Sequence, residues 1–228
     1  MSQESPSAKS LTPESLTDQF IALHAERERT WPAAQLQKNI DTRAGLVAQY
    51  DPAKHIAAGA VLPAFELKDV TGGLITRDTL PPQGAVFVFF RFAGCPACNI
   101  ALPYYQRTLW PALKAQGIAL IAVSPQIPER LVEIKTRHNL GFTVASDTDN
   151  HFGNALGVTF EPAEKPETPP AGWIGEVAGT NSWALPQPTV LIVDGKGVVQ
   201  YVDVSPDWLK RTESEAILSA LPALRNAA

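Results

Sequence analysis

The chain has 228 residues, of which 45% are apolar and 18% are charged, and its formal net charge is −4. This length supports a sizeable hydrophobic core, in one large domain or in a domain with an extension. The mildly acidic balance argues against nucleic acid or an anionic membrane surface as the main partner. No apolar run has the length of a membrane span, and the polar first residues lack the pattern of a secretory signal. We therefore expect a cytoplasmic protein.

Two helices are predicted before residue 52. Thr12 is the expected N-cap of the first helix, Pro13 suits its first position, and Trp31 followed by proline ends it. The second helix carries an apolar stripe on one face, made of Leu36, Ile40, Ala44 and Val47. Neither helix carries a catalytic pattern. We predict a helical extension, residues 1–51, that docks on a second domain, residues 52–228, or joins two copies in a homodimer.

Both cysteines of the chain lie where a predicted strand turns into a predicted helix. Residues 85–90 (AVFVFF) are typical of a strand buried on both faces, and apolar residues at helical spacing follow the cysteines. Cys95 falls at the helix N-terminus, where free backbone N–H groups and the macrodipole favour a thiolate. Cys98 follows about one turn later on the same face, so its sulfur can close a disulfide. Pro96 suits the first helical position, which has no N–H bond to lose.

The other segments predict alternating strands and helices around this junction. A hairpin is expected at residues 62–76, and a proline-rich loop at 159–183 is typical of a lid, a binding loop or an insertion. Trp173 and Trp183 either line a substrate surface or, as we favour, anchor that loop. The further strands are predicted at 118–123, 142–145, 189–193 and 198–202, and the further helices at 128–139, 147–157 and 213–224. This order predicts an α/β fold with a mixed central sheet flanked by helices, with the cysteines at the carboxyl end of a parallel strand.

The spacing of the two cysteines favours redox chemistry over metal binding. Outside an oxidising compartment, a lone CxxC is more often redox-active than structural. A tetrahedral zinc site needs four ligands. The chain has no second cysteine pair, and its histidines are scattered at His24, His55, His138 and His151. The sequence therefore predicts a redox-active dithiol with no metal and no cofactor.

Four motifs resemble those of the AhpC/TSA peroxiredoxin-like (redoxin) family, which belongs to the thioredoxin-fold superfamily. Residues 95–98 (CPAC) and Pro103, eight residues after the first cysteine, are similar to the active-site helix of thioredoxin. Residues 187–189 (QPT) resemble the segment with a cis-proline that faces the dithiol in thioredoxin-like proteins. Residues 62–73 (LPAFELKDVTGG) are similar to the opening of peroxiredoxins. The resemblance covers roughly residues 52–224 and implies a thioredoxin-like fold.

The resemblance also implies roles for individual residues. Cys95 and Cys98 are the expected catalytic pair, and Pro96, Pro188, Gln187 and Phe92 are expected to support them. In such a pair the first cysteine is normally the exposed, acidic one and the second is buried.

The sequence departs from typical peroxiredoxins at three positions. Val88 and Phe92 stand where those proteins have a proline and a threonine that help to hold the peroxide. An arginine that those proteins place near the position of Pro188 is absent there, and sequence alone does not assign its role to Arg91.

Two reactions fit such a dithiol. The Cys95 thiolate attacks either a peroxide oxygen, giving a sulfenic acid, or a disulfide sulfur, giving a mixed disulfide, and Cys98 resolves the product. An external thiol reductant of the thioredoxin or glutathione type then reduces the Cys95–Cys98 disulfide. The family framing favours hydroperoxides as substrates, whereas the departures at Phe92 and Pro188 favour thioredoxin-like exchange with protein disulfides. A non-catalytic interaction module is the third alternative.

Overall fold

The structure, a computed structural model, describes residues 14–162 and 164–221. Two helices come first, α1 (Leu16–Thr30) and α2 (Ala33–Gln49). Ser15 caps α1, because its hydroxyl accepts the backbone N–H of Asp18 at 3.0 Å, and α1 ends at Trp31 as predicted. The predicted cap Thr12 lies outside the described residues.

A seven-stranded mixed sheet forms the centre of the molecule. Its strand order is β2-β1-β5-β4-β3-β8-β9, in which β3 pairs parallel with β4, β4 pairs parallel with β5, and the other pairs are antiparallel. Two short strands, β6 and β7, form a separate antiparallel pair. The strands are β1 (Glu66–Asp69), β2 (Leu74–Thr76), β3 (Ala85–Phe89), β4 (Ala119–Ser124), β5 (Thr143–Ser146), β6 (Thr159–Phe160), β7 (Leu185–Pro186), β8 (Thr189–Val193) and β9 (Val199–Val204). The predicted mixed sheet is confirmed.

Six further helices lie in the described part of the chain. They are α3 (Pro96–Thr108), α4 (Trp110–Ala115), α5 (Pro128–Arg137), α6 (His151–Ala155), α7 (Ile174–Ala178) and α8 (Ser214–Ala220). The apolar residues at helical spacing after the cysteines predicted one helix, but that helix breaks at Leu109 and restarts with Pro111 in the first turn of α4. Proline lacks an N–H and clashes with the preceding turn, so it is tolerated at a helix start. Among the described helices, none has the length and apolarity required to cross a membrane.

The central strand β3 separates two hydrophobic clusters. Because side chains alternate along a strand, Val86 and Val88 face one cluster, whereas Ala85, Phe87 and Phe89 face the other. The first cluster contains both cysteines and most of α3, and we call it the dithiol face. The second, which we call the aromatic face, packs Phe65, Phe87, Phe89 and Phe152 together. Strand β3 thus delivers the chain to the cysteines from a fully buried position.

The two N-terminal helices pack differently. Leu16 and Phe20 of α1 are buried in the dithiol face, whereas α2 contributes no fully buried residue. A partly buried ion pair holds α2 against the rest of the fold, because Arg43 Nη1 lies 3.2 Å from Asp207 Oδ2. Helix α1 is therefore an integral part of the core, and a domain boundary at residues 51 and 52 stays a prediction.

Candidate active site

Helix α3 begins at the two cysteines, and backbone hydrogen bonds connect its first turn with the preceding loop. Cys95 is the N-cap residue of α3, in an extended conformation, and Pro96 occupies the start of the helix. The Cys95 carbonyl accepts the backbone N–H groups of Cys98 at 3.1 Å and of Asn99 at 3.0 Å. The Cys95 N–H in turn donates to the carbonyl of Phe92 at 3.1 Å. The loop and the first helical turn therefore fix the backbone of both cysteines.

Both cysteines are free thiols, and both are buried. The exposed fraction is 3% for Cys95 and 0% for Cys98. The expectation of an exposed first cysteine is therefore wrong for this conformation. The cause lies in the packing of α1, α3 and the segment before α8, which together cover the dithiol face.

Arg211 supplies a positive charge directly to the second sulfur. It lies between β9 and α8, and its Nη2 donates to Cys98 Sγ at 3.4 Å while its Nε donates to the Trp208 carbonyl at 3.2 Å. Its guanidinium carbon lies 5.6 Å from the ring centroid of Phe20 in α1. Arg211 is buried, and within the described residues its Nη1 has no hydrogen-bond partner. An arginine in this setting stabilises a thiolate.

Two further arginines, Arg91 and Arg27, each lie over the ring of a tryptophan. The Arg91 guanidinium lies 4.7 Å from the Trp208 ring, and the Arg27 guanidinium of α1 lies 4.7 Å from the Trp31 ring. Burial lowers the pKa of Arg27. Aromatic faces stabilise a guanidinium in a site with little water. Arg211 thus contacts Cys98 directly, and the charge of Arg91 acts to lower the pKa of Cys95.

The two thiols differ strongly in pKa. The hydrogen bond to Cys98, followed by burial, raises the pKa of Cys95 well above its usual range. Burial opposes ionisation of Cys98, but the hydrogen bond from Cys95 and the Arg211 charge and N–H together hold its pKa well below that range. Cys98, which lies beside Arg211, therefore has the lower pKa of the two.

A polar network braces the cysteine loop from the side of α5. The Asn99 Nδ2 donates to the carbonyls of Ala93 at 2.7 Å and Cys95 at 2.9 Å. Its Oδ1 accepts from Arg137 Nη1 at 2.8 Å and lies 2.7 Å from His138 Nε2. Burial lowers the pKa of His138, so the neutral imidazole is favoured there. This network fixes carbonyl groups of residues 93–95 without touching either sulfur.

Gln126 connects the same loop to the proline-rich excursion. Its buried side chain accepts the Ala93 N–H at 2.8 Å and donates to the Val177 carbonyl at 3.1 Å. The excursion contains α7, and the rings of Trp173 and Trp183 lie with centroids 4.6 Å apart at an interplanar angle of 50°. That these tryptophans anchor the loop to the domain stays a prediction.

The predicted support residues lie at different distances from the chemistry. Phe92 contributes its carbonyl to Cys95, and Pro188 lines a narrow cavity together with Val88, Tyr105 and Arg211. The described residues contain no cis peptide bond, so the bond before Pro188 is trans, contrary to the resemblance. Gln187 lines a separate hollow beside α2, with Tyr50 and His55, and does not lie at the dithiol. The supporting roles of Pro96, Phe92, Pro188 and Gln187 stay predictions.

Within residues 14–162 and 164–221, no group of three or more histidine, cysteine, aspartate or glutamate side chains is placed to hold a metal ion. The arrangement around the cysteines consists of sulfur, guanidinium and backbone amide groups. These groups suit nucleophilic thiol chemistry, because each positive charge or N–H donor stabilises a developing or existing thiolate.

Comparison with known proteins decides the family. The AhpC/TSA family profile matches residues 58–202, which include strands β1 to β5 and β8 of the central sheet, the first part of β9, and the dithiol. The chain belongs to the AhpC/TSA family. Peroxiredoxin Bcp of Escherichia coli is 26% identical over 103 residues, which are 45% of this chain and 65% of that protein. The thiol-disulfide oxidoreductase ResA of Geobacillus thermodenitrificans is 31% identical over 106 residues, 45% of this chain and 59% of ResA.

A solved structure gives the same result for the fold. The chain superposes on Prx3 from Vibrio vulnificus, reduced and in complex with hydrogen peroxide, with a TM-score of 0.59 and 25% identity. That match covers 73% of this chain and 99% of Prx3. The predictions of a thioredoxin-like fold, of this family and of an oxidoreductase are confirmed. The sequence matches to Bcp and ResA span less than two thirds of those proteins.

Sequence reasoning missed the residues that reach the dithiol from a distance. Arg211 is 113 positions from Cys98, and no motif marks it. Arg27 lies in a helix whose pattern indicated docking only. Asn99 carried one local signal, because a polar side chain four residues after Cys95 lies on the same helical face.

Proposed function

We propose that this member of the AhpC/TSA family is a thiol-dependent peroxidase in which Cys95 and Cys98 reduce small hydroperoxides. The observation that carries this proposal is a buried dithiol whose second sulfur, that of Cys98, accepts a hydrogen bond from the buried Arg211. A sulfur this enclosed favours a small substrate over a folded protein disulfide. The likeness to Prx3, which was solved with hydrogen peroxide, supports the same substrate class.

The proposed reaction begins when the proton shared by the thiols moves to Cys98. The Cys95 thiolate then attacks the distal peroxide oxygen, the O–O bond breaks, and the departing oxygen takes the Cys98 proton and leaves as alcohol or water. Cys95 is now a sulfenic acid. The Cys98 thiolate attacks its sulfur, the Cys95 S–O bond breaks, and the departing hydroxide takes a proton from solvent to become water. The products are one reduced peroxide, one water molecule and the Cys95–Cys98 disulfide.

Typical peroxiredoxins use a threonine and an arginine that this chain lacks at the corresponding positions. In the proposed reaction, other arginines of this chain take over their role. Arg211 and Arg91 hold the thiolate at neutral pH and offer positive charge to the departing oxygen. The cycle closes when two electrons from an external dithiol, of the thioredoxin or glutathione type, reduce the disulfide. The cytoplasmic location, the homodimer and the absence of a cofactor stay predictions.

The second candidate is exchange with protein disulfides, as in thioredoxin-like oxidoreductases. Two observations favour it: the CxxC spacing of Cys95 and Cys98, and the similarity to ResA. Phe92 in place of threonine also removes a hydroxyl that typical peroxiredoxins use on the peroxide.

Stopped-flow tryptophan fluorescence distinguishes the two candidates. Reduced protein is mixed with hydrogen peroxide, an organic hydroperoxide or a small disulfide, and Cys95→Ser is the control. The proposal predicts a peroxide reaction far faster than that of free cysteine, and the control lacks it. Peroxide rates equal to those of free cysteine, with fast disulfide exchange, would transfer the protein to the second candidate.

A further inference from the structure

A single carboxylate joins the N-terminal helix to the segment that reaches the dithiol. Glu213, directly before α8, accepts the backbone N–H groups of Leu16 at 3.0 Å and Thr17 at 2.8 Å. It also accepts the Thr17 hydroxyl at 2.8 Å and the Tyr104 phenol at 2.7 Å. These bonds satisfy N–H groups that the first turn of α1 leaves unpaired, and they place a negative charge at its positive end. Glu213 therefore docks α1 onto α3.

The same short segment carries the arginine that contacts sulfur. Arg211, two residues before Glu213, donates to Cys98 Sγ at 3.4 Å. Between them, the Thr212 carbonyl accepts the Tyr105 phenol at 2.7 Å, and the Thr212 hydroxyl donates to Asp203 at 2.7 Å. Residues 211–213 thus contact α1 through Glu213 at one end and the Cys98 sulfur through Arg211 at the other.

Helix α1 also forms the wall against which Arg211 rests. The guanidinium of Arg211 lies 5.6 Å from the ring of Phe20, and both Phe20 and Leu16 belong to the dithiol face. Arg27, about two turns after Phe20 in α1, is buried beside Trp31. Undocking of α1 would therefore remove both the wall behind Arg211 and the charge of Arg27.

We propose that Glu213 is a positioning residue for the dithiol. It fastens the first turn of α1 to residues 211–213 and so holds Arg211 against Cys98. This makes the N-terminal helix a working part of the active site. The proposal rests on the proposed function only in taking Cys95 and Cys98 as the reacting groups. Its test measures the thiols without any peroxide, so either proposal can fail while the other stands.

The test compares reduced full-length wild type, Glu213→Ala, Glu213→Gln and the matched control Glu215→Ala. Glu215 is an exposed glutamate on α8, two residues away. Iodoacetamide alkylation is followed against pH, and peptide mass spectrometry assigns the labelled cysteine. The midpoint of the profile reports thiolate stability, whereas better access to the site changes the rate at every pH. Circular dichroism confirms that each variant is folded.

We expect Glu213→Ala to move the midpoint up by about one pH unit, because the nearby positive charge is displaced. Glu213→Gln keeps an acceptor oxygen and should shift it less, and Glu215→Ala should match wild type. An unchanged midpoint in Glu213→Ala, with lost amide protection at Leu16 and Thr17, would overturn the proposal. Should that variant fail to fold, Glu213→Gln takes its place, and a wild-type midpoint there, with lost amide protection at Leu16 and Thr17, would overturn the proposal equally.

Discussion

The two faces of the central sheet share strand β3 but bury different kinds of side chain. On the aromatic face, Phe65, Phe87 and Phe152 pack with ring centroids between 4.3 and 5.8 Å apart. On the dithiol face, the core encloses a thiolate together with arginines whose buried nitrogens lack partners in the described part of the chain. Burying unpaired charge is costly, whereas burying aromatic surface is stabilising. The comparison indicates that the aromatic face maintains the fold and that the dithiol face is kept for chemistry.

The largest effect on the chemistry of the dithiol face is expected when the proposed nucleophile is removed. Cys95→Ser should abolish turnover of hydroperoxide with a thiol reductant, since a serine hydroxyl is not ionised at neutral pH. Its thermal unfolding midpoint should stay close to that of the reduced wild type, because the substitution is nearly isosteric. Residual turnover at the wild-type rate would move the chemistry to another residue.

A change on the aromatic face should have the opposite signature. Phe87→Ala removes a fully buried ring that contacts Phe65 and Phe152. We expect a loss of about 3–5 kcal/mol in the free energy of unfolding. Urea denaturation measures that loss, and iodoacetamide profiles should place the thiol midpoint where the wild type has it. A raised midpoint would show that the two faces are coupled.

The charge on the dithiol face can be tested at Arg211. Arg211→Met keeps much of the side-chain volume but removes the group that donates to Cys98. The thiolate fraction near neutral pH should fall about tenfold or more, because an adjacent cation stabilises the charged form. Ultraviolet absorbance of the thiolate against pH measures this change, with Lys210→Met as the neighbouring control. Equal profiles for both variants would contradict the assigned role of Arg211.

The smallest expected effect concerns acid stability at Glu213. Burial acts to raise the pKa of Glu213, but its hydrogen bonds with Tyr104, Thr17 and Leu16 prevail and lower it. A lowered folded-state pKa stabilises the fold above the ordinary glutamate pKa, and this contribution is lost as the pH falls through the lowered value. The free energy of unfolding of wild type should therefore exceed that of Glu213→Gln by about 1 kcal/mol at neutral pH, and this difference should shrink in acid. Urea titrations at a series of pH values test this, and a constant difference would contradict it.

Local patterns predicted the parts of the molecule that local forces determine. The apolar run at 85–90, the helix start at Pro96 and the hairpin between β8 and β9 follow from periodicity and turn residues, and the structure has them. The break at Leu109 was missed because the apolar spacing continues from Leu109 to Leu113 across it. Arg211 and Glu213 were missed for a different reason. Their contacts with Cys98 and Leu16 span 113 and 197 positions, and only the folded topology brings them together.

The central claim is that the buried pair reduces a hydroperoxide by closing its own disulfide. The most direct test mixes fully reduced protein with one equivalent of hydrogen peroxide, without a reductant, and measures intact mass and remaining peroxide together. We expect one peroxide to be consumed per chain and the protein to lose two hydrogen atoms. Peptide mapping should place both losses at Cys95 and Cys98. Unconsumed peroxide, or oxygen added to Cys95 with Cys98 still a free thiol, would contradict it.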